Sequence, residues 1–290
     1  MLPVPSTLSE LIEILDLEQL EVGLYRGLQP PGGTMFQRVY GGQVAAQALV
    51  AAQRSVGADR HVHSLHSYFI LGGDPASPIV YDVENVRDGR SFTTRRVAAR
   101  QHGEIIFYMT ASFQGEEDGW THQDAMPPTT APDQVASMAR LAEAEGDDAP
   151  RSFAREWSAL EIAYIGDDRA PDDPDRLTHP AVQKLWFKAA DRLPDERVLH
   201  NAVLAYMSDL TLLGAALMPH DASLSNGVRP ASLDHAIWFH NRFRADEWLL
   251  YSQRSPSASG GRGLCTAEIF TADGLLVASV AQEGLIRPLT

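Results

Sequence analysis

The sequence predicts an α+β fold built twice in one chain: two tandem units, each a buried helix wrapped by a curved antiparallel sheet. Three observations carry this. Two segments are apolar almost all round, a pattern that suits a helix buried on every side. Each is followed by β-rich, partly alternating runs broken at turn residues. The runs after the first segment resemble those after the second, in the same order.

The elements follow in chain order. Thr7 with Glu10 reads as a capping box opening a short amphipathic helix. "VYGGQVAAQALVAAQRSV" is the first apolar helix, its glycines letting it start close to the sheet. "HSLHSYFI" and "SPIVYDVENVRDGRSFTTRRVAARQHGEIIFYMTASFQ" form a meander with turns at Asp-Gly and His-Gly. From Gly115 to Pro150 prolines, acids and turn residues dominate, first as "GEEDGWTHQDAMPPTTAPDQ" and then as an acid- and alanine-rich stretch. "DDRAPDDPDR" reads as a surface loop, and "AYMSDLTLLGAALM" as the second apolar helix. "ASLDHAIWFH" and "DEWLLYSQRSPSASGGRGLCTAEIFTADGLLVASVAQEGLIR" repeat the meander. The expected units are therefore 1–115 and 151–290, joined by a linker over 116–150.

Composition narrows the function class. The net charge of −14 argues against nucleic-acid binding, which needs a basic surface. Only two lysines occur, Lys184 and Lys188, so the positive charge is nearly all arginine, which suits phosphate contacts or simply a GC-rich genome. No run approaches the roughly 20 apolar residues of a membrane span, and the N-terminus lacks the basic region of a signal peptide. The single cysteine, Cys265, permits no internal disulfide and fits a reducing cytoplasm.

One helix wrapped by a curved antiparallel sheet is the hotdog arrangement, and two in one chain make a double hotdog. The strings "VYGGQVAAQAL", "HSLHSYFI", "IFYMTASFQ", "SLDHAIWFHNRF", "EWLLYSQRSPSAS" and "DGLLVASVAQEGLIR" resemble the acyl-CoA thioesterase II family. The likeness runs from about Leu17 to Arg287 and weakens in the proline- and acid-rich middle. It implies hydrolysis of acyl-CoA to fatty acid and CoA, by an aspartate at the start of the second hotdog helix, a hydroxyl and a glutamine. Carried over by motif, these fall on Asp209 in "AYMSDL", Ser232 in "ASLDHAIWFH" and Gln282 in "VASVAQEG". Ser232 stands where bacterial members carry threonine, keeping the hydroxyl and losing a methyl.

The residues alone leave Asp209 open between a helix N-cap and a catalytic carboxylate; the resemblance favours the second, and the two are compatible. Asp209 would take a proton from water, with Ser232 and Gln282 orienting that water. Gln282 does not titrate and so is no base. No G-x-S-x-G elbow occurs, and Cys265 in "GLCTAEIF" reads as a packed strand residue, so no covalent nucleophile is expected. His61 and His63 share a strand face, but without an acid or cysteine at ligand spacing they read as structural, and no metal or other cofactor is expected. His235 reads as second to the catalytic groups or structural. Arg87, Arg90, Arg95, Arg96 and Arg100 are open between CoA-phosphate contacts and solvated strand positions. Laying the halves on one another sets Gly42 opposite Asp209, Ser64 opposite Ser232 and Gln114 opposite Gln282, so one catalytic centre is expected. A homo-oligomer is expected as well. Two alternatives stand beside hydrolysis: a hotdog enoyl-CoA hydratase, which would pair an acid with a histidine, and a non-catalytic acyl-CoA binder.

Overall fold

The computed structural model describes residues 4–30, 38–138, 157–220, 222 and 228–288. The acid- and alanine-rich end of the expected linker lies outside them.

The first half opens with α1 (Leu8–Leu15), β1 (Glu18–Glu21) and β2 (Leu24–Gly27). Thr7 Oγ1 accepts the Glu10 N–H, while Glu10 reaches back to Ser6, one residue earlier than a capping box requires. Next come α2 (Gly41–Gln53), β3 (His61–Phe69), β4 (Ile79–Asp88), β5 (Phe92–Gln101) and β6 (Glu104–Gln114). The second half holds β7 (Leu160–Gly166), β8 (Val182–Ala189), α3 (Arg197–Ser208), a 3-10 helix (Leu212–His220), β9 (Val228–Ser232), β10 (Asp234–Phe239), β11 (Leu249–Ser259), β12 (Arg262–Thr271) and β13 (Leu276–Pro288).

All strands among the described residues join one antiparallel sheet in the order β1-β2-β4-β5-β6-β3-β10-β13-β12-β11-β8-β7, with β9 paired to β13. Read outward from its middle, the order is the same in both directions: β3 matches β10, β6 matches β13, and so on to β1 and β7. The seam is the β3–β10 pairing, from Asp234 opposite Tyr68 to Trp238 opposite Ser64.

α2 packs against β2, β3, β4, β5 and β6, and every residue from Gly42 to Gln53 is buried. Its buried Gln47 is satisfied: it donates to the Ile14 carbonyl at 2.7 Å and accepts from the Tyr81 hydroxyl at 2.7 Å. The second apolar segment departs from expectation. "AYMSDLTLLGAALM" is not one helix. α3 ends at Ser208, Asp209 is its C-cap in helical geometry, and the 3-10 helix carries on alone against β8, β11, β12 and β13. Within Arg197–His220 one window of 18 residues reaches a mean hydropathy of 1.4, and 67% of that window is buried in the protein, as core helices are.

The segment after β6 lies along the outer face of the second half. Lys184 Nζ donates to the Pro128 carbonyl at 2.6 Å, Trp186 Nε1 to the Thr130 carbonyl at 2.8 Å, and Gln123 Nε2 to the Gly274 carbonyl at 2.8 Å. Met126 and Val135 help cover a small apolar cluster of Ala163, Trp186, Leu250 and Phe270.

Candidate active site

β13 runs past the joint between β9 and β10. Its alternation buries Val280, Gln282, Gly284 and Ile286 on the inward face, so Gln282 is a polar residue set among apolar and glycine positions. Ser232, the last residue of β9, stands opposite Gly284. Leu233 then carries the chain over, giving its N–H to Glu283 and accepting from Phe69 of the first half.

Asp209 meets both side chains. Gln282 Nε2 donates to Asp209 Oδ1 at 2.8 Å and to Ser232 Oγ at 2.6 Å, and the Ser232 hydroxyl reaches Asp209 Oδ1 at 3.4 Å. The structure thus brings Asp209, Ser232 and Gln282 together from three separate elements.

Asp209 is not the N-cap the sequence left open: it is the C-cap of α3. It sits at the negative end of α3, where a carboxylate is disfavoured. The exposed carbonyls there are taken up: the Tyr40 hydroxyl donates to Tyr206 at 2.7 Å and the Tyr251 hydroxyl to Ser208 at 2.6 Å. The compensating N–H comes from the other half, where Gly42 in the first turn of α2 donates to the carboxylate. The glycines of "YGGQ" admit the sheet and the end of α3 alike: a Cβ on Gly41 would lie 2.9 Å from the Phe69 ring at the end of β3. A Cβ on Gly41 would fall 2.6 Å from Asp209 Oδ2, and one on Gly42 would fall 2.4 Å from the Tyr206 carbonyl oxygen.

Electrostatics follow from this enclosure. Loss of hydration pushes the Asp209 carboxyl up to about 7, against the pull of hydrogen bonds from Gln282, Gly42 and Ser232. A cavity of about 330 Å³ opens beside Ser232 and Gly41. Val44, Phe69, Ile70, Phe107 and Leu285 wall it, and Arg38 stands among its lining. A larger cavity of about 450 Å³, lined by His179, His220 and Arg254, touches none of the three site residues.

The remaining candidates fall elsewhere. Cys265 stands opposite Gln282, but burial pushes its thiol up to about 11, which suits an inert packed residue. His63 bonds Ser112 at 2.8 Å and His66 packs edge-on against Trp238. Among the described residues no three His, Cys, Asp or Glu side chains gather as a metal site would require. Arg95 is not solvated: it is buried, bonded to Ser55 and Asp88. Gln114 at the end of β6 donates to Glu117 at 3.1 Å, and Ser64 stands opposite Ser112. His235 is fully buried, with Ser208 at 2.9 Å and Gln282 at 3.3 Å, and makes no bond to Asp209 of the kind an acid–histidine hydratase pair needs. Sequence reasoning missed Gly42 as a donor to Asp209. The adjacent glycines at a helix start were the available signal, since two positions without side chains mark a close approach.

Comparison with known proteins identifies the family and the fold. Residues 177–285 match the family described as acyl-CoA thioesterase, and residues 30–114 match the acyl-CoA thioesterase N-terminal domain. Acyl-CoA thioesterase 2 of Haemophilus influenzae is 40% identical over 286 residues, covering 97% of this chain and 98% of that protein. Acyl-coenzyme A thioesterase 8 of Rattus norvegicus is 39% identical over 290 residues, covering 94% and 88%. Among solved structures, acyl-CoA thioesterase II TesB2 from Mycobacterium marinum superposes with a TM-score of 0.81 at 48% identity, covering 96% of this chain and 98% of that one. A hotdog-fold protein from Alicyclobacillus acidocaldarius, at 20% identity and a TM-score of 0.76 over 96% and 98% of the chains, shares the fold. The architecture is the double hotdog.

Proposed function

This chain belongs to the acyl-CoA thioesterase II family, and from that premise we propose that Asp209 is the general base that activates water for thioester hydrolysis, with Ser232 and Gln282 holding base and water in place. The enzyme is a thioester hydrolase of acyl-CoA. One observation carries the residue assignment: a desolvated carboxylate, near-neutral in its titration, held by an amide and by a hydroxyl that itself lines an apolar cavity.

The chemistry follows from the bonds. A base with a midpoint near 7 is both partly ionised and strong enough to take a proton at neutral pH. Gln282 spends both amide hydrogens, on Asp209 and Ser232, so it orients the base rather than the water. The Ser232–Asp209 contact of 3.4 Å is the weak member of the set. That hydroxyl is therefore free to swing and donate to a water, which in turn donates to Asp209 and keeps a lone pair for the thioester carbonyl. Attack forms the tetrahedral intermediate; its collapse breaks the C–S bond and returns the proton to the CoA sulfur. No acyl-enzyme is needed. The acyl chain would enter the cavity walled by Phe69, Ile70 and Phe107.

The mirrored strand order supports reading the chain as units 1–115 and 151–290 with a linker over 116–150. One catalytic centre is proposed, since Gly42 stands where a second acid would be. The exposed Tyr68, Tyr108 and Trp238 near the seam support a homo-oligomer, which sedimentation would test.

The deciding experiment is a double-mutant cycle. Ser232→Ala and Gln282→Ala should each lower kcat, and together should cost less than the product of the two, because both hold one water–base pair. Full multiplicativity would break the assignment.

A further inference from the structure

We propose that His235 is a positioning residue: as a neutral imidazole bearing its proton on Nδ1, it locks the Gln282 amide in the one orientation that serves Asp209. The proposal rests on Asp209 acting as the base.

The argument is one of donors and acceptors. An ionised carboxylate only accepts. Asp209 Oδ1 lies 2.8 Å from the Gln282 amide nitrogen, so the nitrogen end of that amide faces the acid. The oxygen end, Oε1, then points the other way, toward His235 Nδ1 at 3.3 Å. An oxygen there needs a donor, and a bare ring nitrogen facing it would repel it. Nδ1 must carry the proton. The ring is wholly buried, which holds it neutral with a pKa pushed down to about 4, so only one nitrogen is protonated. Nε2 is then an acceptor, 2.9 Å from Ser208 Oγ. Ser208 must turn its hydroxyl to the ring and give up its alternative acceptor, the Ala205 carbonyl at 3.0 Å.

The result is a directed chain: Ser208 to His235, His235 to Gln282, Gln282 to Asp209 and Ser232. Reversing the Gln282 amide would set Oε1 against the carboxylate, replacing an attraction with a repulsion. Such a reversal removes a bond that lowers the Asp209 midpoint, so the midpoint must rise. A residue with a merely structural role would not move it. No other nearby group confuses this readout. Tyr40 and Tyr251, which face Asp209 from α2's start and β11, are held well above 10, and the Cys265 thiol on β12 sits at about 11. Asp234 and Glu283 flank the chain in sequence, but strand alternation sends them to the opposite face of β10 and β13.

The test uses the full-length enzyme. Histidine nitrogen shifts measured by NMR at neutral pH should show His235 protonated on Nδ1 and bare on Nε2; an Nε2–H tautomer would overturn the proposal. His235→Leu should lower kcat on the order of tenfold or more with KM within about threefold, and move the acid limb of the kcat profile to higher pH. His235→Asn, whose amide N–H stands where Nδ1–H stood, should recover most of both. In a Gln282→Ala background, His235→Leu should cost little more. A folded His235→Leu with an unmoved acid limb, or an equal loss in both backgrounds, would refute it. If the leucine variant fails to fold, the wild-type tautomer and the asparagine variant still decide. Activity surviving in Asp209→Asn would instead defeat the base assignment, whatever the tautomer.

Discussion

Replacing Asp209 with asparagine should stabilise the protein while abolishing its activity. The wild-type carboxyl moves from 3.8 to about 7 on folding. For an acid whose folded value is raised, the native state holds more protons than the unfolded state between those two values. Stability therefore falls as pH rises through that window, and the full penalty remains above it. The shift corresponds to roughly 4 kcal/mol of charge burial. Asparagine escapes that cost and keeps one oxygen for Gln282 and Ser232, but it sets an N–H in place of the second carboxylate oxygen in a site built of donors, a mismatch of about 1–2 kcal/mol. The net expectation is a gain of about 2 kcal/mol above neutrality, turning into a small loss at acid pH, where the wild-type carboxyl is protonated and pays no penalty. Urea unfolding of both proteins across about pH 4 to 9 measures this directly. Turnover should drop by about 10² to 10⁴ in the same variant. Parallel stability curves for the two proteins would refute the reasoning, because the buried charge would then carry no folding cost.

Other outcomes follow from the same geometry. kcat/KM should rise with pH through about 7 and level off, since only the ionised Asp209 accepts the water's proton; a profile flat from pH 5 upward would contradict this. Gly41→Ala should lower activity and cost about 1–3 kcal/mol, because its Cβ would fall 2.6 Å from Asp209 Oδ2; a variant with wild-type kinetics would mean that α2 yields freely. Mass spectrometry of quenched enzyme during turnover in heavy-oxygen water should find no acyl adduct and one heavy oxygen in the released acid, whereas an adduct on Ser232 or Cys265 that decays at the turnover rate would reinstate a covalent route. Chelators should leave activity intact; loss restored by a divalent ion would overturn the metal-free mechanism.

Much of the fold was legible because its signals are local. α2 has no polar face to show to water, so its burial is written in "VAAQALVAA". The β runs alternate and end at turn dipeptides, and their repetition predicts two like units, though not that one sheet joins them. What was not legible is held by contacts far apart in sequence. Nothing near Asp209 says that α3 stops there, since the apolar pattern continues through the 3-10 helix. The donor that reaches it, Gly42, lies in the other half. Arg95 was open between a CoA-phosphate contact and a solvated strand position, yet it is buried with Ser55 and Asp88 as partners. The tautomer of His235 has no sequence signature at all; it follows only from which end of Gln282 faces the acid.

The meeting of Gly41, Gly42 and Asp209 bears on how this chain can vary over time. The acid depends on a backbone N–H from the opposite half, and the glycines have no room to change while the acid stays. Neither half can therefore drift alone at these positions. A lineage that discards the acid relieves Gly41 of its shortest contact, while Gly42 stays barred by the Tyr206 carbonyl, and a lineage that fills Gly41 must move or lose the acid. Loss of hydrolytic activity in a descendant should then leave its earliest trace in the other half of the molecule, as paired substitutions more than 160 residues apart.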